Sequence, residues 1–218
     1  MHHWKLVIFD LDGTLADTLT DICNAGNAAL HEMGFPQHSE KAYRHLVGRG
    51  AANLFRDALP KPAAQDEMLV AEAVRRYLAN YARMRYDHTA PYAGIPELLD
   101  LLTARGIPMA VLSNKEHGET RTVVADMFGK WTWVAVQGHE PQYLPKPDQT
   151  SALAICTSLG VAPKEVLYIG DTSTDMQTAK NAGFFALGVA WGFRDEAELL
   201  AHGADGVANT PPDVARWL

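Results

Sequence analysis

Two aspartates, Asp10 and Asp12, stand directly after a short apolar run, Leu6-Val7-Ile8-Phe9, and lead into Gly13-Thr14-Leu15. A carboxylate so placed can attack phosphorus and carry the phosphoryl group, which splits one hard transfer into two easier steps. A second carboxyl two residues on can protonate the leaving oxygen and then activate water. Three later stretches add what that chemistry needs. Ser113-Asn114-Lys115 follows Met109 to Leu112, Lys146-Pro147 follows the next apolar region, and Gly170-Asp171-Thr172-Ser173-Thr174-Asp175 follows Val166 to Ile169. With the loop of Asp10 and Asp12, these loops bring four acids, a hydroxyl and a lysine. The reacting phosphate repels an anionic nucleophile, so a divalent cation must offset part of the charge, and hard oxygen ligands suit magnesium. Lysine and serine donors can hold the phosphoryl oxygens as charge shifts in the transition state.

These loops work together only if a scaffold brings them to one edge. Trp4 to Phe9 reads as a buried strand, and similar runs recur at Pro108 to Leu112, Thr132 to Val136, Val166 to Ile169 and Phe184 to Val189. Helical spacing falls between them, at Ile95 to Ala104, Asp148 to Leu159 and Thr174 to Ala182. Strands alternating with helices imply right-handed βαβ units on a parallel sheet, and such sheets bind ligands beyond the carboxyl ends of their strands. From Ala16 to Asp87 no strand pattern is evident. Val70, Val74, Tyr77, Leu78 and Tyr81 share one helix face, and Ala16 to Met33 reads helical up to Gly34. The expected organisation is an α/β core, residues 1–15 and 94–218, with an all-helical cap, residues 16–93, inserted after the first strand.

Charge divides along the same line. Residues 16–93 hold 9 Lys plus Arg against 9 Asp plus Glu, so the rest of the chain carries the whole net charge of −7. An acidic protein gains no general attraction to nucleic acid or anionic membrane, and no run is long enough for a membrane helix. Cys23 and Cys156 match no metal-ligand spacing and read as buried thiols of a reducing compartment, with the cytoplasm the default location. Nothing is drawn from His2 and His3. A monomer and a homodimer are both open.

Asp10-Leu-Asp12-Gly13-Thr14-Leu15, Ser113-Asn114, Lys146-Pro147 and Gly170-Asp171 with Asp175 resemble the four motifs of the haloacid dehalogenase superfamily, in order and over nearly the whole chain. The helical insertion resembles the small helical cap of its phosphoglycolate phosphatase-like branch. The resemblance implies a Rossmann-like core and a magnesium-dependent phosphatase acting on a small phosphorylated metabolite, with 2-phosphoglycolate the best single guess. It also implies roles. Asp10 would be nucleophile and magnesium ligand. Asp12 would be general acid/base, its backbone carbonyl also on the metal, with Thr14 helping to hold Asp12 and the active loop near the phosphate. Ser113 and the Asn114 amide would grip the phosphoryl group, and Lys146 would bridge it and the nucleophile. Asp171 would bind metal and Asp175 would act through water or orient its neighbours. Lys115 would touch the substrate, and Arg49, in the glycine-flanked cap loop Gly48-Arg49-Gly50, would read it.

Several competing readings set limits. Ser113-Asn114 could simply cap a helix starting near Gly118. Arg44 and Arg56 are weaker reader candidates, and His45, His117 and His139 read as surface or packing histidines. Trp131, Trp133, Tyr77, Leu78 and Tyr81 read as structural. Asp12 argues against a phosphonate hydrolase and a dehalogenase, whose relatives lack that acid. A sugar-phosphate mutase keeps Asp12 and stays open. A phospho-aspartate signalling module fits less well, because here the candidate nucleophile ends the first strand and carries an acid suited to turnover.

Overall fold

The structure, a computed structural model, describes residues 4–218, so His2 and His3 lie outside the described residues. In chain order the elements are β1 (Leu6–Phe9), β2 (Ala16–Asp17), α1 (Leu19–Glu32), α2 (Glu40–Leu46), α3 (Ala51–Ala58), α4 (Lys61–Ala64), α5 (Glu67–Met84), β3 (Ala90–Pro91), α6 (Ile95–Ala104), β4 (Met109–Glu116), α7 (His117–Phe128), β5 (Trp133–His139), α8 (Thr150–Leu159), β6 (Val166–Gly170), α9 (Ser173–Ala182), β7 (Phe185–Val189), α10 (Glu196–Ala201) and β8 (Gly206–Ala208). The chain divides into two compact units: the residues up to Ala16 with Pro91–Leu218, and Asp17–Ala90.

The first unit is a six-stranded sheet in the order β5-β4-β1-β6-β7-β8, with every neighbouring pair parallel. Counting only these strands along the chain, the order is 3-2-1-4-5-6, a doubly wound, Rossmann-like sheet that reverses direction at β1. The alternation of strand side chains explains why β1 reads as a continuous apolar run. Val7 and Phe9 face α6 and α7 through Leu98, Leu102, Val123 and Phe128. Leu6 and Ile8 face α8 and α9 through Ile155, Met176 and Ala179. A parallel strand covered on both faces needs apolar residues at every position. Each such buried side chain contributes about 1.5–3 kcal/mol relative to exposure.

Five of the six strands match apolar runs in the sequence. The sixth, β8, is three residues, Gly206–Ala208, beside β7. Two strands run further than their apolar cores suggest: β4 continues through Ser113 and Asn114 to Glu116, and β5 to His139. The pairing of β4 with β5 slips between Leu112 and Glu116, an irregularity that re-aims the side chains there.

The second unit is helical. Ile22, Leu30, Tyr43, Phe55, Val70, Tyr77 and Tyr81 are buried in it, and ring pairs Phe55–Tyr77 and Tyr77–Tyr81 stand 5.8 and 5.7 Å apart. On α5 the buried face takes in Ala73 and Asn80, while Val74 and Leu78 are only half-buried. Asp21 is fully buried and accepts from the Thr89 amide and hydroxyl at 2.8 and 2.6 Å and from the His88 amide at 3.1 Å. Those bonds tie the segment before β3 to α1.

Candidate active site

Strands β4, β1 and β6 are adjacent and parallel, so the loops after them open at one edge of the sheet, beside the point where the strand order reverses. Asp10 is fixed there by its amide, which donates to Ile169 O at 2.9 Å. Residues 11–16 then fold into a tight turn, in which the amides of Thr14, Leu15 and Ala16 all donate to Leu11 O. Gly13 has φ +88°, and a Cβ there would stand 2.3 Å from Asp171 Oδ2, so only glycine fits this approach of β1's loop to β6's.

Lys146 is the hub. Its ammonium lies 2.6 Å from Asp175 Oδ1 and 2.9 Å from Asp10 Oδ1, and donates to Leu112 O at 3.2 Å and Tyr168 OH at 3.3 Å. The Asp10 contact is an ion pair out of hydrogen-bond alignment, so Asp10 Oδ1 is buried without a hydrogen-bond donor. The Asn114 side chain holds the Lys146 peptide from both sides: Lys146 N donates to Oδ1 at 2.8 Å, and Nδ2 donates to Lys146 O at 3.1 Å. The Lys146–Pro147 peptide bond is cis.

The acids after β6 are held as firmly. Thr172 caps α9: its hydroxyl and amide donate to Asp175 Oδ2 at 2.6 and 3.1 Å. Asp175 Oδ1 takes Lys146 and also Tyr168 OH at 3.2 Å. Asp171 accepts from the Thr14 hydroxyl at 3.0 Å and the Phe193 amide at 2.8 Å. The Thr14 hydroxyl therefore supports Asp171. Asp12 instead pairs with Lys115, whose Nζ is 3.1 Å from both carboxylate oxygens.

Electrostatics follow from burial. Asp10 is pushed up to about 7, first by burial and then by the charge of Asp175, with Lys146 pulling the other way. Burial, then Asp175 and Asp10, also drive Asp171 well above the usual carboxylate range. Burial works against the Lys146 charge, but Asp10 and Asp175 outweigh it and hold the ammonium well above its ordinary value. One lysine does not neutralise three buried acids, and the two whose oxygens keep open lone pairs resist ionising together. This is the state a dication would relieve. Asp10, Asp171 and Asp175 each offer an oxygen, all within 4.8 Å of one another. Each Asp175 oxygen already takes two donors, whereas each Asp171 oxygen takes one and Asp10 Oδ1 takes none, so Asp10 and Asp171 keep the lone pairs that could hold a metal ion, and Asp175 orients Lys146.

The core thus brings together Asp10, Asp12, Thr14, Ser113, Asn114, Lys115, Lys146, Asp171 and Asp175. Ser113 and Asn114 are strand residues, and the cap of α7 is Glu116, which removes the simple helix-cap reading. Arg49 belongs to the helical unit. It is 53% exposed and paired with Asp57, with Gly50 at φ +84° starting the next helix. Arg56 pairs with Glu67 at 2.7 Å, Arg44, His45 and His139 are exposed, and the His117 ring accepts from the Gly138 amide at 3.2 Å. Tyr168, outside the four motifs, is a further member of the cluster around Lys146. Its signal was a hydroxyl inside an apolar strand two residues before Gly170, since a buried tyrosine oxygen needs partners.

The profile of the haloacid dehalogenase-like hydrolases matches residues 7–189. The chain is 31% identical over 212 residues to a phosphoglycolate phosphatase of Chromobacterium violaceum, covering 96% of this chain and 94% of that one. It is 32% identical over 219 residues to a phosphoglycolate phosphatase of Rhodospirillum rubrum, covering 98% and 90%. The crystal structure of a predicted phosphoglycolate phosphatase from Haemophilus somnus superposes with a TM-score of 0.91 at 26% identity, covering 100% of this chain and 99% of that one. The chain belongs to the haloacid dehalogenase-like hydrolases. Within them it is phosphoglycolate phosphatase-like, and its relatives make it a phosphatase.

Proposed function

We propose that the protein is a magnesium-dependent phosphatase that hydrolyses a small phosphomonoester through a phosphorylated Asp10, with 2-phosphoglycolate as the favoured substrate. The observation that carries this reading is the Lys146 ammonium set between Asp10 and Asp175 in a buried acidic cluster. Asp10 and Asp171, with the Asp12 backbone carbonyl, would hold magnesium, which supplies charge neutralisation for the phosphate. Asp10 attacks phosphorus while Lys146 offsets the charge on the transferring oxygens. Ser113 and the Asn114 backbone amide hold those oxygens. Asp12 gives its proton to the leaving oxygen, then takes one from the water that cleaves the acyl phosphate. Arg49 reads the substrate from the helical unit. Free, buried cysteines support a cytoplasmic setting.

The test is phosphate release from a panel of small phosphate esters, with magnesium and with chelator, using Asp10→Asn as the blank. Metal-dependent release that the variant lacks is expected, with 2-phosphoglycolate the best substrate. Isomerisation that needs a bisphosphate, without net release, would replace this reading with a mutase.

A further inference from the structure

We propose that Lys115 reads the leaving group, selecting phosphomonoesters that bear a carboxylate on the carbon next to the ester linkage. This rests on the reading of Asp12 as the proton donor and adds the part of the substrate recognised beside it. Lys115 Nζ lies 3.1 Å from each Asp12 oxygen, so it sits in front of the carboxylate, where a leaving oxygen must come to take a proton. Its side chain is only 7% exposed.

The position is built. The Lys115 amide donates to Ser113 Oγ at 3.2 Å, and its carbonyl accepts from the Thr120 hydroxyl at 3.2 Å. Gly138 presses so closely that a Cβ there would stand 2.8 Å from the Lys115 carbonyl oxygen. The slip in β4–β5 pairing falls in this stretch, between Leu112 and Glu116.

An ammonium is a compact charge with three donors and can serve two carboxylates together. Lys146 does so in this site, between Asp10 and Asp175. Lys146 serves the nucleophile, and Lys115 is the cation on the leaving-group side. Once Asp12 has given up its proton, a carboxylate on the leaving group would face a second carboxylate, and a cation between them offsets that repulsion. Lys115 occupies that place. Arg49, the reader expected from sequence, is paired with Asp57 in the helical unit.

The experiment measures kcat and KM with magnesium for the unaltered protein, Lys115→Met and Lys115→Arg on 2-phosphoglycolate and on ethyl phosphate, which lacks only the carboxylate function. Lys115→Met is expected to lose about 100-fold in kcat/KM on 2-phosphoglycolate, largely through KM, and about tenfold or less on ethyl phosphate. Lys115→Arg is expected to recover much of the preference. A second measurement uses the unaltered protein only: glycolate should compete with the ester far better than ethanol does. Equal losses on both esters, or equal competition by glycolate and ethanol, would overturn the proposal while leaving the phosphatase reading intact. Absence of phosphate release from every ester by the unaltered protein would overturn both.

Discussion

The two units of this chain treat charge in opposite ways. In the sheet unit Asp10, Asp171, Asp175 and Lys146 are buried, and most of their polar atoms have named partners. In the helical unit the charges are mostly surface pairs, such as Arg75 with Glu72 at 2.6 Å, whose side chains are 67% and 33% exposed. Buried charge is costly unless its geometry is fixed, whereas exposed pairs contribute little. The sheet unit therefore spends folding energy to hold a cluster of reactive groups, whereas the helical unit buries Asp21 against backbone and hydroxyl donors as a structural tie.

The comparison can be tested by substitution, from the severest expected effect down. Asp10→Asn should remove metal-dependent phosphate release, by at least about 10³-fold. Substantial turnover in that variant would end the phospho-aspartate mechanism. Lys146→Met should remove activity and cost about 3–5 kcal/mol in urea unfolding, because it leaves buried acids uncompensated. A stable Lys146→Met protein would mean the hub is dispensable to the fold.

Tyr168→Phe keeps the ring and deletes the hydroxyl that touches Lys146 and Asp175. It should lower kcat about tenfold with KM little changed, and an unchanged kcat would make Tyr168 a packing residue only. The buried acids also set a pH dependence. Native Asp10 keeps its proton up to about pH 7, whereas its ordinary value is 3.8. Between those values the native state binds more protons than the unfolded chain, so stability falls as pH rises. The metal-free protein should therefore melt lower at pH 8 than at pH 5, and magnesium should raise the melting temperature more at pH 8. A melting temperature that climbs across this window without metal would contradict the burial argument.

In the helical unit the effects should be smaller. Arg49→Ala should harm 2-phosphoglycolate turnover more than that of a generic ester, and equal losses would remove Arg49 as a reader. Arg75→Ala should leave the melting temperature within about a degree, as measured by circular dichroism.

Legibility in the sequence followed the same division. A strand covered on both faces must be apolar throughout, so β1, β4, β6 and β7 stood out, and the acids just beyond them marked the site. β8 did not, because Gly206-Val207-Ala208 is too short and too bland to carry a periodic signal. The bonds of the Thr14 hydroxyl to Asp171 and of the Asn114 side chain to Lys146 had no signal in the sequence. Such partners are over 30 residues away in sequence, and no local pattern encodes them. The pairing of Lys115 with Asp12 was invisible for the same reason.

One modest feature bears on how such proteins diversify. The short strands β2 and β3, Ala16–Asp17 and Ala90–Pro91, pair with each other, so the helical segment leaves and rejoins the sheet unit through adjacent strands. An insertion whose two ends already meet can lengthen cheaply, since closing a loop costs only about 0.6 kcal/mol per doubling of its length. Whole helical segments can be exchanged at that doorway in a single genetic event while the aspartates of β1 stay where they are. Recognition lodged in the insertion is then replaceable as a block, whereas recognition lodged at Lys115 can change only one residue at a time.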